Sequence, residues 1–268
     1  MTRAAFITTK EHRRFVEFAD AVRKEHTVGL CFGPAGVGKT QSARRYAHWD
    51  QIDDAIDDWR DGQTSTNAAM AKARTLFYTP TPLTTQRQLH DELNQLFHRV
   101  YHGIEQHLES VGKAQTGPYH RRKPLIELVI VDESERLSAG GLELLRDRYD
   151  RDNIALILIG MPGIEKQFSR YAQFYSRVGF AHGYRPLGTD ELRFVLERQW
   201  RKLGQELDLD DFTDAQAVAA ITRITRGNFR LLERLFTQIR RVMKINELST
   251  ITNDVVEAAA STLVIGAS

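Results

Sequence analysis

A glycine-rich loop that ends in lysine and threonine is the part of this 268-residue sequence with the clearest chemistry. It has the spacing G-x-x-x-x-G-K-T, in which glycines let successive backbone N–H groups point at phosphate oxygens. The helix that follows adds the positive end of its dipole. The lysine of such a loop reaches the β- and γ-phosphates, and its hydroxyl ligates Mg²⁺. The predicted phosphate-binding residues are Gly33, Pro34, Ala35, Gly36, Val37, Gly38, Lys39, Thr40 and Gln41.

An acidic pair, Asp132 and Glu133, follows an apolar run at 125–131 that has the character of a buried strand. Ligands of open α/β sheets bind at the carboxyl ends of the strands, so this pair is expected to face the phosphates. Asp132 is then expected to hold Mg²⁺ together with Thr40. Glu133 is expected to polarise the attacking water as a general base.

Short apolar segments that alternate with helical ones organise the chain up to residue 187. Such alternation predicts a parallel sheet with helices on both faces. Strands are predicted at 27–32, 74–79, 125–131, 154–159 and 178–182. From Thr189 onward, helical segments follow one another without a strand. We therefore predict an α/β fold with a five-stranded parallel sheet and a small all-helical C-terminal domain. The predicted boundaries are 1–24 for an N-terminal helical segment, 25–187 for the nucleotide-binding domain and 188–268 for the helical domain.

The overall composition does not identify the partner. A net charge of +2 neither requires nor excludes nucleic acid. The single cysteine, Cys31, lies in a predicted strand and is expected to be buried in a reducing compartment. No signal-peptide pattern is present, and the longest apolar run, at 154–161, is too short to cross a bilayer. We expect a cytoplasmic protein without a membrane segment.

Hydrolysis of a nucleoside triphosphate also needs positive charge at the γ-phosphate, and two arginines are candidates. Arg177 precedes the last predicted strand, and Arg230 begins a helix of the C-terminal domain. On spacing alone, a solvated surface residue or a structural ion pair is the better interpretation of both.

Several motifs taken together resemble AAA+ ATPases. They are the glycine-rich loop, the acidic pair after its strand, Ser-Arg before the fifth strand and Gly-x-x-Arg in the helical domain. The runs Leu156-Ile-Leu-Ile-Gly-Met-Pro-Gly-Ile-Glu165, Tyr175-Ser-Arg-Val-Gly-Phe180 and Arg185-Pro-Leu187 resemble the TniB/TnsC branch, which includes the MuB-type transposition ATPases. The resemblance covers residues 25–245, and 156–187 is its most family-specific part.

This resemblance implies an ATPase that uses ATP and Mg²⁺ and regulates DNA transposition. Such proteins assemble as rings or helical filaments on double-stranded DNA without sequence preference and recruit a transposase. The implied partners are further copies of the chain, duplex DNA, a DDE-type transposase and a target-selection protein. ATP turnover then disassembles or redistributes the assembly.

The family pattern also implies roles for individual residues. Arg177 matches the arginine finger that acts on a neighbour's ATP, with Arg170 as the runner-up, and Arg230 matches the sensor-2 residue. The chain departs from the pattern at Gly160-Met161-Pro162, where many relatives carry a polar sensor. Methionine cannot orient water, so either hydrolysis is slow or another polar group substitutes.

Basic residues that flank the helix after the second strand are the candidates for DNA contact. By resemblance, these segments face the central axis of the assembly, where they touch phosphates and provide affinity without sequence readout. The candidates are Arg87, Lys113, Arg121 and Arg122. Another basic cluster lies on a helix of the C-terminal domain and could bind DNA, bind a partner or keep the protein soluble. Its members are Arg234, Arg240, Arg241 and Lys244.

Two other classes of AAA+ protein stay open as alternatives. One is a loader or remodeller, such as an IstB-like or helicase-loading protein. A preference for single-stranded DNA would support this alternative. The other is an ExeA-like ATPase of envelope assembly that does not act on DNA. Proteins of that class usually carry a transmembrane segment or a wall-binding module, and this sequence shows neither.

Overall fold

The computed structural model describes residues 6–53, 56, 64–114 and 124–263, without the side chains of residues 64 and 65. The described strands are β1 (Val28–Phe32), β2 (Thr75–Tyr78), β3 (Leu128–Val131), β4 (Ala155–Gly160) and β5 (Val178–Gly183). The helices up to β5 are α1 (Lys10–Lys24), α2 (Lys39–Tyr46), α3 (Thr64–Ala73), α4 (Gln86–Ser110), α5 (Ala139–Asp152), α6 (Ile164–Phe168) and α7 (Ala172–Tyr175). They are followed by α8 (Thr189–Lys202), α9 (Phe212–Thr225), α10 (Phe229–Ile245) and α11 (Asn253–Ser261).

The chain divides into two compact units. The sheet unit comprises His12–Gly33 and Lys39–Tyr184. The helical unit comprises the described residues up to Glu11, the loop segment Pro34–Gly38 and the described residues from Arg185 onward. The middle of the glycine-rich loop thus makes its contacts within the helical unit, which the sequence did not indicate.

All five strands of the sheet unit are parallel, in the order β2-β3-β4-β1-β5. Every residue of β2, β3 and β4 is buried, and this explains why these strands appear in the sequence as continuous apolar runs. β5 lies at one edge and is largely exposed. The predicted five-stranded parallel sheet flanked by helices is confirmed. Parallel order brings the residues that follow β1 and β3 to the same edge.

A glycine in β1 allows α1 to lie close against the sheet. A Cβ atom at Gly29 would lie 2.6 Å from Cγ2 of Val22 and 2.7 Å from Cζ of Phe18. Phe15, Phe18 and Val22 recur at helical spacing and are buried on the sheet side of α1. Cys31 in the same strand is buried as well, as expected.

The helical unit has a core of its own, and the predicted C-terminal helical region is confirmed. Trp200 of α8 and Phe236 of α10 are fully buried, with ring centroids 5.6 Å apart. The indole Nε1 of Trp200 donates to Oδ1 of the buried Asp214 at 3.2 Å. Among the described helices, none combines the length and the apolar character that a membrane span requires.

The close packing at Gly29 leads to a prediction about stability. Gly29→Ala should lower the free energy of unfolding by about 1–3 kcal/mol, because the added methyl group overpacks the contact with α1. Gly183→Ala in β5 is the matched control, since its Cβ would meet only Cε2 of Phe32 at 3.8 Å. Urea unfolding of both variants measures the difference. Equal stability of the two variants would contradict this account of the packing.

Candidate nucleotide-binding site

Lys39, the first residue of α2, has a buried ammonium group. Its side chain is 8% exposed, and Nζ donates to the carbonyl oxygen of Gly33 at 2.6 Å. A buried ammonium without acceptors is strongly unfavourable, so this carbonyl at the end of β1 helps to keep the charge in place. A phosphate oxygen is a stronger acceptor than a carbonyl, and it can take over this hydrogen bond.

Thr40 and Asp132 are in direct contact, although they are 92 residues apart in the sequence. The Thr40 hydroxyl donates to Oδ2 of Asp132 at 2.6 Å, and the backbone N–H of Glu133 donates to Oδ1 at 2.9 Å. A hydroxyl and a carboxylate oxygen side by side form a donor set that fits Mg²⁺, which prefers oxygen ligands and keeps several of its waters. The structure thus brings the two predicted metal ligands together.

Asp132 is 3% exposed, and burial raises the pKa of its carboxyl above the ordinary value of 3.8. Hydrogen bonds from Thr40 and from the Glu133 backbone, together with the charge of Lys39, oppose this rise but do not cancel it. The buried carboxylate therefore destabilises the fold at neutral pH. A site that keeps such a group in its charged form is suited to binding a cation.

Glu133 has a left-handed backbone, with φ 47° and ψ 42°, a conformation that costs a non-glycine residue about 1–3 kcal/mol. Its carboxylate is 44% exposed and forms an ion pair with Arg136 at the end of the next short turn. Nη1 of Arg136 also donates to the carbonyl of Pro80 at 2.7 Å. Because the pair is half-exposed, it contributes little energy, and the carboxylate can exchange Arg136 for another partner.

A carboxyl group lies beside the position where the polar sensor is missing. Oε2 of Glu135 is buried, without a hydrogen-bond partner among the described residues. A Cβ atom at Gly160 would lie 2.7 Å from this oxygen, so only glycine leaves room for it. Met161 is 41% exposed. Glu135 is thus a polar group next to the segment Gly160-Met161-Pro162, and no motif in the sequence indicated it.

The central part of the loop is held within the helical unit by two residues at the start of α10. The side-chain nitrogen of Asn228 donates to the carbonyl of Ala35 at 2.7 Å, and the backbone N–H of Arg230 donates to the carbonyl of Gly36 at 3.0 Å. Gly36 has φ 79°, and a Cβ there would lie 2.6 Å from Oδ1 of Asn228. The loop glycine is therefore required both by its conformation and by this contact.

Asn228 was not among the predicted site residues. Its Oδ1 caps α10 by accepting from the backbone N–H of Leu231 at 3.1 Å, while its amide nitrogen holds the loop. An asparagine before a helix indicates a cap, but the sequence alone could not show the second contact. Arg230 itself is an exposed residue.

Arg177 forms a two-pronged ion pair within its own chain. Its Nε and Nη2 lie 2.7 Å from the two carboxylate oxygens of Asp150. Arg146 also donates to Asp150 at 2.7 Å, and the arginines, Arg177 first, lower the pKa of this carboxyl. Arg170 is exposed. A bidentate pair orients the Arg177 guanidinium, and Arg177 has to leave Asp150 before it can reach another molecule.

The predicted DNA contacts are spread out in the structure. Arg87 lies in the first turn of α4 with its side chain 93% exposed, and Lys113 lies just beyond the last turn. The 25 residues of α4 separate them by about 37 Å. Arg121 and Arg122 lie outside the described residues.

The buried carboxyl of Asp132 leads to a prediction about pH. Because the folded pKa is raised, the folded protein binds the proton more tightly, and stability falls as pH rises through that pKa. Asp132→Asn should therefore increase the free energy of unfolding at pH 7 by on the order of 1 kcal/mol, since the Thr40 hydroxyl can also accept from an amide.

Urea unfolding at pH 7 and near pH 4 measures this effect, and the difference from the unmodified chain should shrink at the lower pH. The control is Asp91→Asn, an exposed carboxyl of the sheet unit, which should change little. A less stable Asp132→Asn variant at pH 7 would contradict the burial argument.

Comparison with known proteins shows the family of this chain. A model of the family described as "AAA domain" matches residues 22–168. The chain is 44% identical to a "Potential ATP-binding protein" of Staphylococcus aureus over 264 residues, which cover 97% of each chain.

Two solved structures have a similar fold. The RuvB Holliday junction branch migration motor of Thermotoga maritima matches with a TM-score of 0.57 and 18% identity, over 96% of this chain and 70% of that one. The ORC2 protein of Aeropyrum pernix matches with a TM-score of 0.54 and 15% identity, over 98% and 70%. At such low identity, these two show the fold alone. The family match and the close relative show that this chain belongs to the AAA-domain family.

Proposed function

We propose that this protein binds ATP with Mg²⁺ and hydrolyses it. The observation that carries the proposal is the 2.6 Å hydrogen bond between Thr40 and Asp132, which joins the glycine-rich loop to the acidic pair. Membership of the AAA-domain family and the name of the Staphylococcus aureus relative support it. When bound, Mg²⁺ neutralises charge on the phosphates.

The residues of the chain have separate tasks in this proposal. Lys39 exchanges the Gly33 carbonyl for a phosphate oxygen, and the N–H groups of the loop surround the phosphates. Glu133 leaves Arg136 and accepts the proton of the attacking water. Glu135, beside Gly160, supplies the polar sensor group that Met161 cannot provide. The segment 25–187 is proposed as the nucleotide-binding domain and 188–268 as the lid.

We further propose that the protein regulates DNA transposition as an oligomer on duplex DNA, in the manner of the TniB/TnsC branch. The resemblance of the segment 156–187 supports this role. The Thermotoga maritima neighbour is a branch migration motor, which is consistent with a fold used on DNA. A loader of another class is the second candidate, and a preference for single-stranded DNA would favour it.

Substitutions at the nucleotide site test both parts of the proposal. Lys39→Ala should abolish ATP binding, and with it ATP-dependent assembly on duplex DNA. Glu133→Gln should retain binding and assembly but slow hydrolysis by about 10²–10⁴-fold, the usual contribution of a general base. Glu109→Gln, at the far end of α4, is the matched control.

Nucleotide binding, phosphate release and electron microscopy with duplex DNA and a slowly hydrolysed ATP analogue are the measurements. ATP binding by the Lys39→Ala variant would contradict the proposed site. Hydrolysis without any DNA-bound assembly would leave the ATPase intact and overturn the transposition role.

The proposed action of Arg177 on a neighbouring copy can be tested by mixing variants. Arg177→Ala alone should reduce hydrolysis by about 10³-fold. In an equal mixture with Glu133→Gln, hydrolysis should return to about a quarter of the normal rate. About a quarter of the head-to-tail interfaces then join a copy with an intact Glu133 to a copy with an intact Arg177. Arg170→Ala is the matched comparison. A mixture no more active than its two components would contradict action between copies.

A further inference from the structure

The outward face of α10 carries a row of basic side chains that the proposed nucleotide site does not use. Arg234, Arg241 and Lys244 follow one another at intervals of seven and three residues, so they lie on one face of the helix. All three are exposed. The opposite face is fixed in the core of the helical unit by Leu232, Leu235, Phe236, Ile239 and Met243.

The charges of this row are not neutralised within the part of the chain that the structure describes. None of the ion pairs between described residues includes Arg234, Arg241 or Lys244. Glu233 is the only acidic residue in α10, and it lies about 100° around the helix from Arg234. Three other exposed arginines of the helical unit do have acidic partners: Arg193 and Arg201 pair with Glu197, and Arg223 pairs with Glu257.

The spacing of the row fits an extended polyanion. Arg234 and Lys244 are ten residues apart, or about 15 Å along the helix axis. A small anion needs cations that converge on one point, whereas duplex DNA offers a negative charge about every 1.7 Å along its axis. The exposed Ile245 lies at the end of the row rather than within it. An acidic protein surface is the less suitable partner, because protein interfaces combine charge with an apolar centre.

We propose that Arg234, Arg241 and Lys244 bind the phosphate backbone of duplex DNA, in addition to the candidates Arg87 and Lys113. This inference rests on the proposed action on DNA. It assigns three of the four residues of the C-terminal cluster, for which the sequence left three uses open, to DNA. Contacts of this kind add affinity and fix the position of the protein without reading the base sequence.

The salt dependence of DNA binding tests the proposal. Affinity for a fluorescent duplex is measured in the presence of an ATP analogue at several salt concentrations, with the full chain. Each phosphate contact contributes about 0.9 to the slope of log affinity against log salt. The triple variant R234Q/R241Q/K244Q should therefore lower the slope by about 2–3 while ATP binding stays unchanged.

The matched control removes the same number of positive charges from paired arginines of the same unit, as R193Q/R201Q/R223Q. It should change the slope by less than about 1, since these groups already have protein partners. Circular dichroism and ATP binding confirm that both variants are folded.

The possible outcomes separate this proposal from the proposed function. Equal loss of slope in both triple variants would mean that only the overall charge matters, which overturns the proposal. If R234Q/R241Q/K244Q binds DNA normally but no longer binds poly-glutamate, the row is a site for acidic proteins. This result also overturns the proposal. If the unmodified chain binds no duplex DNA, the proposed action on DNA is wrong, and so is the proposed role of the row.

Discussion

The burial of charged groups at the carboxyl edge of an apolar sheet is the constraint on which the site depends. Lys39 and Asp132 are both largely buried. An unpaired charge in the protein interior costs several kcal/mol. Each therefore has a close hydrogen-bond partner, the Gly33 carbonyl for the ammonium and the Thr40 hydroxyl for the carboxylate. Gly33 directly follows β1 and Thr40 lies in the first turn of α2, so both partners depend on the segment that joins this strand to this helix. The raised pKa of Asp132 shows that the compensation is incomplete.

The two charged groups expected to act during hydrolysis are held differently from the buried pair. Glu133 is engaged by Arg136, and Arg177 by Asp150, in half-exposed ion pairs. The Glu133 pair is weak enough to exchange partners without unfolding anything around it, whereas the bidentate geometry makes the Arg177 pair the stronger of the two. The buried groups thus give the candidate site its fixed shape, while the Glu133 carboxylate stays able to change its partner. The left-handed backbone of Glu133 fits this division, since strained conformations cluster at functional positions.

Much of the fold follows from local pattern. The central strands are buried on both faces, so they must be apolar throughout, and the sequence locates them to within a few residues. The spacing of the loop and the position of the acidic pair after an apolar run predicted that Thr40 and Asp132 would lie close together, because strand ends in a parallel sheet share an edge, and the two side chains are hydrogen-bonded. The strand order β2-β3-β4-β1-β5 was not predicted, since local pattern does not specify which strands become neighbours.

The sequence by itself determined which functional groups are available. They are a phosphate-binding loop, an acidic pair, and arginines at family-specific positions. Only the tertiary structure decided the partners of those groups. Asp150 holds Arg177 from 27 residues away, Glu135 lies beside Gly160, and Asn228 holds the loop at Ala35. A helix-capping residue or an exposed carboxylate has the same local sequence pattern whichever distant residue it contacts. Its partner depends on how distant segments pack, and no local periodicity encodes that.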